Sequence, residues 1–152
     1  MDLNYVPSRG HVMSHIAAPE NIATHIKLVQ EMYAAFSNGN IQGILDILSP
    51  DVEWGEPDNP YNPAGGTRHG HAGFMEWVQV GSQSEQILSL EPREFLANAD
   101  SVAVVGHTKC LAKPTGNVYE TDFVHLVTFR DEMVVRFQEF FDTFAAGEAF
   151  RS

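Results

Sequence analysis

Cysteine is scarce in this sequence: Cys110 is the only one among 152 residues, so no disulfide can form within the chain. We therefore expect a reducing, cytoplasmic location. Basic residues are also few, since nine Lys and Arg stand against 20 Asp and Glu and leave a formal net charge of −11. Because that charge repels phosphate backbones and anionic lipid headgroups, we expect neither nucleic acid nor a membrane as a partner. The sequence also lacks an apolar run near the roughly 20 residues that a membrane-spanning helix needs.

The first residues lack both a periodic apolar pattern and the apolar core of a signal peptide. We expect a flexible arm over residues 1–20, with Met13 as an alternative start, and a single domain over residues 21–152. Apolar residues make up 43% of the chain, which is enough for one hydrophobic core.

Two helices are predicted near the beginning of this domain. From Asn21 to Phe36, apolar side chains recur at the spacing of one helical face. The segment SNGN can end this helix, and Asn40 can cap a second one, whose apolar face runs from Ile41 to Leu48. We expect the two helices to form an antiparallel hairpin.

A short strand, a loop and a third helix follow. Residues 51–56 alternate with the period of a strand, which puts Trp54 and Glu56 on the same side. Residues 57–66 contain three prolines and two glycines, which predicts a loop. Helical spacing returns from about His71.

The second half of the chain has the composition of β-structure. Four segments are rich in β-branched and aromatic residues and are separated by short turn sequences, which predicts an antiparallel meander. Helices followed by such a sheet are typical of the α+β class. The predicted strands are Ile87 to Leu96, Ser101 to Ala112, Val118 to Phe129 and Met133 to Phe141.

Three stretches of the sequence together resemble a known family. They are VQEMYAAFSNGNIQGILDILSPDVEW, RHGHAGFMEWV and TDFVHLVTFRDEMVVRFQEFFDTFAAGEAF. They resemble the SnoaL-like polyketide cyclase branch of the nuclear transport factor 2-like superfamily, which also contains ketosteroid isomerase and limonene epoxide hydrolase. The resemblance implies a cone-shaped α+β barrel, in which a strongly curved, mostly antiparallel sheet wraps around three N-terminal helices and leaves an apolar pocket. It also implies a homodimer.

The same resemblance implies candidate catalytic residues. The general-base aspartate of the isomerase falls on Glu56, and its oxyanion-hole tyrosine falls on Met32, one residue from Tyr33. The pocket histidine and the acid/base aspartate of the polyketide cyclases fall on His125 and Glu139. The epoxide hydrolase constellation is incomplete in this chain, which makes that activity less expected than a cyclase or isomerase activity.

Strand alternation gives an independent view of these residues. It puts Glu139 on the face of Phe137 and Phe141, and His125 on the face of Phe123, so both polar side chains share a face with aromatic rings. The alternatives are a solvent-facing strand glutamate and a core histidine bonded to a carbonyl group. The carboxylate at the end of the first strand can likewise be an ordinary solvated one.

Apolar side chains from all these elements are expected to line the pocket. The paired His69 and His71 are too few for a metal site, so we expect neither a metal nor another cofactor. The predicted lining residues are Met32, Tyr33, Phe36, Trp54, Tyr61, Phe74, Trp77, Phe123, Val127, Phe137 and Phe141.

The resemblance and the residues together favour a cofactor-free acid/base enzyme that acts on a hydrophobic, carbonyl-type small molecule by isomerisation, cyclisation or dehydration. Two other hypotheses remain open: a non-catalytic protein that binds a small ligand in the same pocket, and a dimeric interaction domain of the same fold.

Overall fold

Helices flank a run of strands in the computed structural model, which describes residues 19–151. In chain order the elements are α1 (Pro19–Ser37), α2 (Ile41–Leu45), β1 (Leu48–Glu56), β2 (Gly66–His69), α3 (Gly70–Ser84), β3 (Glu85–Ala97), β4 (Ser101–Ala112), β5 (Val118–Arg130), β6 (Met133–Phe141) and α4 (Thr143–Phe150). The predicted N-terminal arm lies outside the described residues except for its last two, which belong to α1. No helix between residues 19 and 151 is both long and apolar enough to span a membrane.

The strands form one curved, unclosed sheet. Over the described part of the chain it has six strands in the order β2-β1-β6-β5-β4-β3. Neighbouring strands are antiparallel except β1 and β6, which run parallel. Buried side chains of α1, α2 and α3 pack with those of the sheet in one hydrophobic core. The predicted α+β fold, with a mostly antiparallel curved sheet around the N-terminal helices, is confirmed.

Two local features curve the sheet. The pairing of β3 with β4 shifts register twice, and each inserted residue bends the strand and increases its twist. Gly106 of β4 lies opposite Phe123, and a Cβ atom at Gly106 would collide with the Phe123 ring and with the carbonyl oxygen of Glu91. The glycine therefore allows the strands to close tightly over this ring.

The second helix is shorter than the sequence pattern predicts. It ends at Leu45, and Leu48, which we expected on its apolar face, begins β1. Leu48 pairs with Val134 of β6, so pairing with a distant strand overrides the local helical spacing. Pro50 fits within β1 because the β1–β6 register is interrupted between Leu48 and Glu53, where no ladder hydrogen bond is required of it.

Two elements were missed by the sequence reasoning. Strand β2 follows the predicted loop and pairs antiparallel with β1. Helix α4 follows β6, and the Asp142 side chain caps it by accepting a hydrogen bond from the Ala145 amide at 3.0 Å. Phe150 of α4 packs in a second hydrophobic cluster with Cys110 and Tyr119. Helix α4 therefore covers the sheet near the end of β4 and the start of β5.

Candidate functional site

A cavity of about 110 Å³ lies between α1, α3 and the concave face of the sheet. Its walls are mainly apolar, as is typical of small-molecule sites. The three predicted catalytic residues, Glu56, His125 and Glu139, all line this cavity. The predicted lining residues that contact it are Met32, Tyr33, Phe36, Trp54, Phe74, Trp77, Val127, Phe137 and Phe141.

Two residues predicted to line the pocket lie elsewhere. Tyr61 is 48% exposed on the loop after β1, where the Arg151 guanidinium lies 4.8 Å from its ring centroid. Phe123 is buried behind the cavity wall and stacks on the imidazole of His125, with 4.1 Å between ring centroids. The prediction for these two was wrong because strand and loop patterns do not show how deep a ring sits. Tyr61 is a surface residue, and Phe123 supports His125 from within the core.

His125 of β5 and Glu139 of β6 lie side by side on the cavity wall. They are direct partners in the antiparallel ladder, and such partners project to the same face of a sheet. The imidazole Nε2 lies 3.2 Å from the carboxylate Oε1. The His125 residue is only 6% exposed, so this contact is largely removed from water.

A register shift produces this pairing. The β5–β6 hairpin closes with Arg130 opposite Met133, and an uninterrupted ladder from that point would bring Gln138 opposite His125. The register instead shifts by one residue beside Phe129, which advances β6 and brings the next side chain, a carboxylate, opposite the imidazole. The bulge therefore decides which polar side chain His125 meets.

Tyr33 of α1 completes a hydrogen-bonded row with this pair. Its hydroxyl lies 2.6 Å from Nδ1 of His125. Burial, and secondly the Glu139 carboxylate, raise the pKa of Tyr33 well above its ordinary value, so the hydroxyl keeps its proton and donates a hydrogen bond to Nδ1. Because Nδ1 accepts this hydrogen bond, we assign a ring proton of His125 to Nε2.

The Nε2 atom of His125 has no aligned hydrogen-bond partner within residues 19–151. Nε2 lies 3.2 Å from Oε1 of Glu139, but the two groups are not oriented for a good hydrogen bond. A buried N–H group without a partner is costly, and it is also free to donate to the oxygen of a bound ligand.

Glu56, the last residue of β1, lines the same cavity. Its carboxylate accepts a hydrogen bond from the indole Nε1–H of Trp77 on α3. Burial, and secondly the negative charge of Glu139, raise the pKa of Glu56 from 4.5 to about 8. Its carboxyl group is therefore mostly protonated at neutral pH and can act as a proton donor.

Aromatic rings keep water away from these carboxylates. The Trp54 ring stacks on Phe137, with 4.0 Å between centroids and an angle of 8° between planes. The same indole lies 5.1 Å from the ring of Trp77. This aromatic wall supplies the desolvation that raises the pKa of Glu56.

The sequence reasoning missed a second group of polar side chains in the cavity: Glu85, Cys110 and Tyr119, here named the Glu85 cluster. The Tyr119 hydroxyl donates a hydrogen bond to Oε2 of Glu85 at 2.5 Å. Burial raises the pKa of Glu85 and raises that of the Cys110 thiol to about 12. Cys110 and Tyr119 could have been found from strand alternation, since they are direct partners on β4 and β5 and project to the same face of the sheet. Glu85 could not, because it precedes the predicted strand start at Ile87 and so belongs to no predicted alternation.

His69 and His71, at the start of α3, have separate structural roles. His71 uses Nε2 to bond the carbonyl oxygen of Leu48 at 2.8 Å, which ties the start of α3 to β1. His69 is exposed and pairs with Glu53 across the β1–β2 ladder. Among the described residues, no group of three or more His, Cys, Asp or Glu side chains is arranged to hold a metal ion.

Comparisons with known proteins agree with the fold. The model of the SnoaL-like domain family matches residues 29–137. No protein with a curated description matches the chain. The family match confirms the resemblance inferred from the sequence, and the solved structures described next agree with it.

Several solved structures resemble this one closely. An NTF2-like protein from Burkholderia xenovorans LB400 is 32% identical, with 86% of this chain and 98% of that chain covered and a TM-score of 0.79. An NTF2-like protein from Burkholderia pseudomallei K96243 is 30% identical, with 85% and 98% covered and a TM-score of 0.76. TerC, whose crystals contained polyporic acid, is 35% identical, with 85% and 99% covered and a TM-score of 0.77.

Proposed function

The chain belongs to the SnoaL-like domain family, and from this premise we propose that it is an enzyme that performs cofactor-free acid/base chemistry on an apolar carbonyl compound. One observation carries the proposal: His125 and Glu139 lie together, nearly removed from water, on the wall of an apolar cavity. Family membership alone does not choose a reaction, because one fold supports many activities.

In the proposed reaction, Glu139 removes a proton from the carbon next to the substrate carbonyl group. Negative charge then develops on the carbonyl oxygen, and the Nε2–H of His125 donates a hydrogen bond to it. Tyr33 holds the imidazole in the required tautomer through Nδ1. The free N–H of His125 and the adjacent carboxylate support this division of roles.

Glu56 is proposed as the second acid/base group. With a pKa of about 8 it carries a proton at neutral pH, and it can donate that proton to carbon or to a leaving hydroxyl group; the site is restored when the proton taken up by Glu139 is lost to solvent and Glu56 is protonated again. Isomerisation, cyclisation and dehydration all use such an exchange around an enolate. The proposal therefore covers this class of reactions.

Product analysis after incubation with a panel of apolar ketones tests the proposal. Polyporic acid is the first further compound to include, because TerC is 35% identical to this chain and was co-crystallised with it. Each compound is first screened by thermal shift, and the compounds that bind are then examined for conversion. Binding without conversion by the wild-type protein would contradict the enzymatic proposal and favour a ligand-binding protein.

A matched pair of variants tests the role of Glu139. We expect Glu139→Gln to lower turnover by about a hundredfold or more while the protein stays folded, because it removes the proton acceptor and keeps the shape. Glu132→Gln changes an exposed glutamate in the adjoining turn and should leave turnover unchanged. Full activity of Glu139→Gln would show that another group moves the proton.

A further inference from the structure

Two buried N–H groups of the cavity lack a hydrogen-bond partner, and the proposed reaction uses only one of them. They belong to Nε2 of His125 and Nε1 of Trp54, which form no hydrogen bond with any residue between 19 and 151. Both side chains line the cavity, and Trp54 is only 4% exposed. The other indole on the cavity, that of Trp77, donates its N–H group to Glu56. Of the two tryptophans, only Trp54 therefore holds a donor in reserve.

An unpaired buried donor lowers stability. The loss of its hydration is not offset by a hydrogen bond, and most buried polar groups in folded proteins have a partner in the protein or in a bound molecule. A phenylalanine at position 54 could stack on Phe137 without this cost. Since an indole N–H group can only donate, its presence indicates a ligand that offers an acceptor atom such as a carbonyl oxygen.

The two unpaired donors lie close to each other. The Trp54 ring stacks on Phe137 with 4.0 Å between centroids, and the His125 ring centroid lies 5.0 Å from that of the same phenyl ring. The indole and imidazole centroids cannot be farther apart than the sum of these two distances. One compact ligand can therefore accept a hydrogen bond from each ring.

The strand that carries Glu139 lies between the strands that carry the two donors. In the sheet, β6 is flanked by β1, which contains Trp54, and by β5, which contains His125. Trp54 is the ladder partner of Phe137, which precedes Glu139 by two residues and shares its face of the sheet. A carbon atom placed over the Glu139 carboxylate therefore has a donor strand on each side. A 1,3-dicarbonyl compound matches this order, because its acidic carbon lies between two carbonyl groups.

The volume of the cavity limits the size of the ligand. It is about 110 Å³, whereas an apolar cavity of about 150 Å³ holds benzene. A short carbon chain or a single small ring is therefore the size of ligand that suits this cavity.

We propose that Trp54 is a second hydrogen-bond donor to the substrate and that the substrate is a compact 1,3-dicarbonyl compound. Glu139 takes a proton from the central carbon, so the C–H bond breaks and an O–H bond forms on the carboxyl group. The electron pair of the C–H bond spreads over both carbonyl groups, whose oxygens accept hydrogen bonds from His125 and Trp54. The negative charge passes from Glu139 to the ligand, and the net charge of the cavity stays the same. This inference rests on the proposed function, because Glu139 and His125 must act as described there.

Pentan-2-one and pentane-2,4-dione are suitable probes, because they differ by one carbonyl oxygen and are both mainly uncharged at neutral pH. Proton–nitrogen NMR titration of the wild-type protein gives the affinity for each ketone and follows both indole N–H groups of the chain. We expect the dione to bind about tenfold more tightly, which is the effect of one additional hydrogen bond. The Trp54 N–H signal should move downfield with the dione and change much less with pentan-2-one.

A variant of Trp54 should remove this gain. Trp54→Phe takes away the donor and keeps an aromatic ring against Phe137, so the two ketones should bind within about twofold of each other. Tyr61→Phe is the matched control: it removes a polar group from a ring that is 48% exposed and lies outside the cavity, and it should keep the full gain. If Trp54→Phe does not fold, Trp77→Phe identifies the two indole signals, and the wild-type titration decides the question.

The outcomes distinguish this inference from the proposed function. Equal affinity of the wild-type protein for the two ketones, or a full gain in Trp54→Phe, overturns the second donor and leaves the proposed function intact. A Trp54 signal that does not respond to the dione does the same, and would mean that the N–H group faces the Phe74 ring, whose centroid lies 4.6 Å from that of Trp54. Failure of the wild-type protein to bind either ketone contradicts the proposed carbonyl-binding function and this inference with it.

Discussion

Replacement of Glu56 by Gln should stabilise the protein at neutral and alkaline pH. The folded protein raises the pKa of Glu56 from 4.5 to about 8, and each unit corresponds to about 1.4 kcal/mol, so ionisation of this group costs the folded state about 5 kcal/mol in total. At pH 7 about 3 kcal/mol of that cost is present. The amide oxygen of a glutamine can still accept the hydrogen bond from Trp77, so little should be lost at low pH.

The sign follows from proton binding in the two states. Between 4.5 and about 8, folded Glu56 keeps its proton while the unfolded chain has released it. The contribution of Glu56 to stability is therefore fully present below pH 4.5, the pKa in the unfolded chain, and is lost as pH rises through about 8, the pKa in the folded protein. The variant does not titrate there, so its advantage over the wild-type protein should grow by about 1.4 kcal/mol per pH unit across this window.

Urea unfolding at a series of pH values from about 5 to about 8 measures this difference. Glu53→Gln is the matched control, because Glu53 lies on the same strand but is half exposed and contacts Arg136 at 3.6 Å. Its effect should stay within about 1 kcal/mol and vary little with pH. A constant difference between Glu56→Gln and the wild-type protein over the whole range would refute the view that Glu56 is held in a desolvated pocket.

Three further substitutions test individual contacts. Tyr33→Phe removes the donor to Nδ1 of His125 and should lower the free energy of unfolding by about 1–3 kcal/mol. Nitrogen NMR of the imidazole should then show both tautomers instead of one. An unchanged spectrum would contradict the tautomer assignment. Gly106→Ala should lower stability by about 2 kcal/mol or more in urea unfolding, because its Cβ collides with the Phe123 ring, and a neutral effect would mean that the strands separate easily. Asn40→Ala removes the cap of α2 and should cost about 1 kcal/mol in the same assay, whereas an unchanged midpoint would show that the cap is dispensable.

Much of the fold follows from local patterns in the sequence. The predicted strands over residues 101–112 and 133–141 have the observed bounds, because alternation and turn residues are local signals. The same alternation placed His125 and Glu139 on faces shared with aromatic rings, where the structure has them lining the cavity. Leu48 shows the limit of this reasoning, since its apolar spacing suits a helix and its pairing with β6 makes it a strand residue.

The amino-acid sequence by itself determines which side chains of a strand share a face, the excess of acidic over basic groups, and the positions of the turns. Only the tertiary structure decides which of these side chains meet. A one-residue register shift beside Phe129 brings Glu139 rather than Gln138 opposite His125, and the approach of α3 to β1 brings Trp77 onto the Glu56 carboxylate. The physical reason is that alternation is set by neighbouring residues, whereas register, packing and desolvation are set by contacts between segments far apart in the chain.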